Sequence, residues 1–109
     1  MTWVVLGILT VHGLIHLMGF AKAFGLAELP QLTHSISRGW GVGWLVAALL
    51  VLASAAAFAL GYRRFWVLGT AALLVSQAVI LSAWSDAWAG TLANAVLLAA
   101  VLQRGLVEG

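Results

Sequence analysis

Two histidines one helical turn apart, His12 and His16, lie in an uncharged apolar run from Trp3 to Ala21. Imidazole titrates near neutrality, ligates metal ions and haem iron, and both donates and accepts hydrogen bonds. In a segment built for lipid, an ionisable side chain is costly and normally faces a partner or a cavity. The pair is therefore the first candidate for chemistry. Three readings suit the residue type: a proton relay, a metal or haem site, and an internal hydrogen-bond cluster that fixes helix association.

Histidines at i and i+4 can share a metal ion, as on zincin helices, but no Glu follows His12 and no apolar run contains a carboxylate. The nearest oxygen ligand is Asp86, on the same membrane side as His34. A His12/His16/His34/Asp86 site thus requires the first loop to fold inward. Haem needs axial ligands on opposite faces of the iron, which two histidines a turn apart on one helix cannot supply. The second ligand would be His34 or come from another subunit. No cofactor is expected, with haem or a divalent metal as the alternatives. The chain has no cysteine, which removes disulfides, thiolate ligands and Cys nucleophiles. A Ser-His-Asp arrangement has no support either, since Glu28 and Asp86 fall in links and Glu108 at the tail.

The elements that must position the histidines follow from composition. Of 109 residues, 64% are hydrophobic and 7% charged, with a mean hydropathy of +1.12. Soluble chains have about 45–50% apolar and about 25% charged residues, so lipid is the expected solvent. Net charge is +2, and the only basic doublet is Arg63-Arg64, which gives nucleic-acid binding no footing.

A transmembrane helix needs about 20 apolar residues. Four segments approach that length: Trp3–Ala21, Trp40–Leu60, Phe65–Ala83 and Ala87–Leu102. The short links Gly61–Arg64 and Trp84–Asp86 force neighbouring helices antiparallel. The expected fold is all-α, an integral membrane antiparallel four-helix bundle, with residues 1–109 as a single four-span domain. Trp3, Trp40, Trp44, Trp66, Trp84 and Trp88 lie at or within a turn of a span end, as interfacial anchors do, and Tyr62 joins them.

Arg63, Arg64 and Arg104 on one side, against Lys22 and Arg38 on the other, favour cytoplasmic N- and C-termini in the inner membrane. Ala21-Lys22-Ala23 imitates a signal-peptide cleavage site, but no basic residue precedes the apolar run, so cleavage is not expected. In the first link, Leu26, Leu29, Leu32 and Ile36 recur at helical spacing around Pro30. That pattern fits a short interfacial helix or an ordered loop over the bundle end. Ser35 or Ser37 caps the second span.

Depth follows from a rise of about 1.5 Å per residue. His12 sits roughly 14 Å and His16 roughly 20 Å above the Trp3 end, and Gln77 roughly 18 Å from the same side. Asn94, counted from Trp88 across a core of about 30 Å, also reaches about 20 Å. His16, Gln77 and Asn94 thus share a layer, with Ser76 and His12 just below. Polar groups in lipid need partners, and converging on one another supplies them.

Arg38-Gly39-Trp40-Gly41-Val42-Gly43-Trp44 follows no strand and is no phosphate loop. Gly39, Gly43 and Ala47 instead predict a close-approach seam, as do Gly69, Ala72 and Ser76, and Ala95 with Ala99. Such seams serve helices of one bundle or a homo-oligomer.

Val11-His12-Gly13-Leu14-Ile15-His16-Leu17-Met18-Gly19-Phe20-Ala21-Lys22-Ala23-Phe24-Gly25, followed by Leu26 to Thr33, with a GxxW-type second helix and Ser76-Gln77 in the third, resembles a group of uncharacterised bacterial small multipass membrane proteins. The resemblance covers most of the chain. It implies membrane placement and draws attention to His12, His16, Lys22 and Gln77, and it transfers no reaction. Size and span count are also similar to small multidrug-resistance exporters, which carry a carboxylate in the first helix. Here His12 and His16 occupy that helix, so the likeness is architectural.

The functional expectation is a structural or interaction subunit with an internal His/Gln/Asn layer, in contact with the bilayer and with a membrane-protein partner or a second copy. The alternative is a small proton-coupled transporter or a His-ligated haem or metal protein.

Overall fold

A computed structural model describes residues 2–26 and 36–108. These form five helices and, among the described residues, no strand: α1 (Thr2–Ala23), α2 (Arg38–Ala59), α3 (Phe65–Ser82), α4 (Trp84–Ala87) and α5 (Gly90–Glu108). The first three are long and apolar enough to cross a membrane, at 22, 22 and 18 residues. They are apolar all round, which suits burial in lipid and not the surface of a soluble domain. Three such helices point to a membrane protein.

Local chemistry sets the helix ends. Ser37 caps α2, its hydroxyl accepting from the Trp40 N–H at 3.2 Å. Gly25 and Gly61 take positive φ, 68° and 67°, where a side chain would be strained. Each closes a helix with the paired carbonyl contacts of a Schellman turn: Leu26 N to Ala21 O after α1, and Tyr62 N to Ala57 O after α2.

The fourth apolar segment differs from its sequence reading. Residues 84–87 form their own turn of helix, set off from α3 by Ala83 at φ −134°, and α5 starts only at Gly90. Its apolar part, Gly90–Leu106, is shorter than the three candidate spans. The interfacial helix expected over Leu26–Ile36 falls mostly on 27–35, outside the described residues, as do Ser35 and His34.

Close approaches give the helix directions. On α1 and α2, Gly41 faces Ala23, Gly19 faces Trp44 and Gly13 faces Leu52, so the two run oppositely. Phe58 meets Phe65 at 5.2 Å between α2 and α3. Gly69 faces Val101 while Gln77 meets Thr91, which sets α5 opposite to α3. Helix α5 also returns to α1, closing a ring of pairwise contacts.

The interior is divided. One apolar cluster gathers Leu9, Val51, Phe58, Phe65, Leu97 and Val101, and a second gathers Trp44, Ala47, Val79, Ile80 and Ala83. Buried polar residues lie between them: His12, His16, Ser76 and Asn94. The seams expected from sequence are partly used. Gly69, Ala72 and Ser76 are buried, whereas Ala95 and Ala99 face outward and Leu97, Ala100 and Val101 turn inward instead.

Candidate functional site: a buried polar layer

Helix α1 presents His12 and His16 on one stripe because four residues advance little more than one turn. Their rings meet edge to face, centroids 4.3 Å apart. The Nδ1 of His16 is 2.8 Å from the carbonyl oxygen of His12. A carbonyl only accepts, so the Nδ1–H of His16 donates. Its Nε2 is then the acceptor for the Ser76 hydroxyl, at 2.7 Å.

The His12 Nε2–H donates to Asn94 Oδ1 at 2.9 Å. The Asn94 amide donates in turn to Gln77 Oε1 at 2.9 Å, and the Gln77 amide to Thr91 Oγ1 at 3.1 Å. Ser76 Oγ also lies 3.1 Å from Asn94 Oδ1 and 3.3 Å from His12 Nε2. With both rings neutral, the two imidazoles take opposite tautomers, His16 set by the backbone carbonyl of His12 and His12 by the orientation assigned to the Asn94 amide. Helices α1, α3 and α5 are tied at one level.

The five residues anticipated from sequence, His12, His16, Ser76, Gln77 and Asn94, all belong to this network. Their pairing differs in detail: His16 meets Ser76, not Gln77, and Asn94 meets His12. The late start of α5 at Gly90 brings Asn94 closer to that helix's beginning than counting from Trp88 implied. Thr91 was missed. Its signal was available, since it lies three residues before Asn94 on the same face.

Trp44 is a further departure. Sequence placed it in the interfacial belt, but it is 5% exposed and packs edge to face on His16, centroids 5.1 Å apart. Gly19 makes room for it, since any Cβ there would strike the indole. Its Nε1 is buried without a hydrogen-bond partner among the described residues. Trp3, Trp40, Trp66, Trp84 and Trp88 are exposed, as anchors would be.

Among the described residues no group of three or more His, Cys, Asp or Glu is placed to hold a metal ion. The weak metal set proposed from sequence included His34, which lies outside those residues; His12, His16 and Asp86 do not gather into such a group.

Against α1 lies a cavity of about 630 Å³, walled by α1, Trp44, the end of α3, α4 and the start of α5. His12 and His16 form part of its floor.

Compared with protein-family models, with curated proteins and with solved structures, the chain matches none. Function must be argued from the site.

Proposed function

We propose that this chain is an integral membrane subunit of structural or interaction type: an antiparallel four-helix bundle clamped at mid-depth by its polar layer. In this reading α5 is the fourth span, and the outer apolar faces meet lipid and a membrane-protein partner or second copy. The inner membrane, with both termini cytoplasmic, agrees with the placement of Arg63, Arg64 and Arg104.

One observation carries this reading. The strongest polar groups of the layer satisfy one another, from His16 through Ser76, His12, Asn94 and Gln77 to Thr91. Side chains of these types join helices in bilayers, at about 0.6–2 kcal/mol per contact. The partners that α3 and α5 bring to the histidines, Ser76, Gln77, Thr91 and Asn94, do not titrate near neutrality, as the members of a relay would.

The test pairs thermal stability in detergent with growth of a deletion strain complemented by each variant. A structural layer predicts that His16→Gln, which keeps a donor and an acceptor, folds and complements. Loss of complementation by a well-folded His16→Gln protein overturns the reading in favour of proton or metal chemistry.

A further inference from the structure

The cavity beside α1 is lined by that helix from Trp3 to Gly19. Its α1 wall is a stripe at three- and four-residue spacing that includes Trp3, Gly7, Val11, Ile15 and Gly19. From Trp3 to Gly19 that stripe covers about 24 Å at about 1.5 Å per residue. A volume of about 630 Å³ lies within the about 300–1,000 Å³ of ordinary ligand pockets. Trp3, Val11 and Ile15 are exposed, so the groove opens on the outer face of α1, where a membrane protein meets lipid.

Small residues keep it open. The facing wall is Ala83, Ala89, Gly90 and Ala93. Gly7 stands inside α1, where glycine is disfavoured relative to alanine, yet a Cβ there would meet nothing within 4 Å. No atom of the described residues lies against that position, so the glycine widens the groove. The walls are apolar along most of their length, and Asp86 is the charged wall residue among those described. It stands at the end where α1 finishes and α2 begins, the end that also carries Arg38.

We propose that this groove holds one acyl chain of an ethanolamine phospholipid, with the ammonium group against Asp86 and the phosphate toward the Arg38 end. The chain lies along α1 from Gly19 toward Trp3. An ionised carboxylate offers about four lone-pair sites, so a contact within the protein and one to the ammonium coexist. A quaternary choline head has no N–H to give, and a glycerol head has no positive charge, so both fit Asp86 less well. The inference goes beyond the structural role and rests only on the membrane placement within it.

Native mass spectrometry of the detergent-solubilised protein tests this, with phosphatidylethanolamine, phosphatidylcholine and phosphatidylglycerol of identical chains as probes. One ethanolamine lipid is expected to bind, about fivefold or more tighter than either competitor. Gly7→Leu starts from a Cβ that meets nothing within 4 Å, extends into the groove and should weaken all three lipids by about tenfold, the loss of contact with roughly two methylenes. Ala89→Leu, from the opposite wall, should do the same. Asp86→Asn should retain chain binding and abolish the headgroup preference. Equal binding of the three lipids by the wild type, or binding unchanged in both leucine variants, overturns the proposal. Circular dichroism and melting of each variant keep the outcomes apart, since a folded bundle without lipid leaves the polar-layer reading intact.

Discussion

His12 Nε2 lies 2.9 Å from Asn94 Oδ1, which joins α1 to α5 across 82 residues of sequence. Leu9 and Leu97 pack in one apolar cluster and Gly90 lets α5 approach the His12 ring, so this hydrogen bond is the polar tie in an otherwise apolar α1–α5 interface. The consequence is an asymmetry between the two histidines.

Replacing His16 with Leu strands no acceptor, because the Ser76 hydroxyl can turn to Asn94 Oδ1 at 3.1 Å. Replacing His12 with Leu leaves one hydroxyl hydrogen for two acceptors, Asn94 Oδ1 and His16 Nε2. His12→Leu should therefore cost about 1 kcal/mol more than His16→Leu. His16→Gln should cost about 1 kcal/mol or less. Melting in one detergent, all variants side by side, checks the order.

Asn94 is the hub, since it accepts from His12 and donates to Gln77. Asn94→Leu should destabilise by about 1–2 kcal/mol, and Gln77→Leu by less, because Gln77 is only half-buried. Equal melting points for the two variants would contradict this ranking.

The Nε1 of Trp44, buried and without a hydrogen-bond partner among the described residues, has a testable sign. Trp44→Phe removes volume but also removes a donor that lacks an acceptor, so its cost should fall well below the about 3–5 kcal/mol of a Trp→Ala truncation. A loss as large as that of Trp44→Ala would show that the indole N–H has a partner in the membrane.

How much of this was legible beforehand differs by level. The three long apolar helices were, because hydropathy marks α1 to α3 and a fixed rise per residue sets the relative level of residues along them. That is why His12, His16, Ser76, Gln77 and Asn94 converge. The fourth expected span was not, since α5 starts only at Gly90 and its apolar part is shorter. Rotation about each helix axis was not. All-apolar helices have no polar face to reveal their phase, so Trp44 was taken for an anchor when it faces His16. Ala95 and Ala99 were taken for a seam when they face outward. The late start of α5 at Gly90 was also hidden, since Ala87, Trp88 and Ala89 continue the apolar character of the helix that follows them. The groove was invisible for a different reason: its walls come from separate helices, and only assembly shows that Gly7 faces open space.

Two glycines that look alike in sequence should respond oppositely to alanine. At Gly69 a Cβ would sit 2.6 Å from Val101 Cγ2, so Gly69→Ala must displace the Val101 side chain or part α3 from α5. Gly39 has nothing within 4 Å, so Gly39→Ala should be neutral or stabilising by about 0.5–1 kcal/mol. Thermal melts of the two variants decide it, and the prediction fails if Gly69→Ala is the more stable.

The central claim is that the polar layer is closed on itself, and histidine tautomers report on it most directly. Solid-state nitrogen NMR of the protein in bilayers at neutral pH, with labelled histidine and His12→Gln and His16→Gln for assignment, resolves each ring nitrogen. The account predicts His12 neutral with its proton on Nε2 and His16 neutral with its proton on Nδ1. Spectra in which either ring is cationic or metal-shifted, or in which both carry the same tautomer, would contradict it.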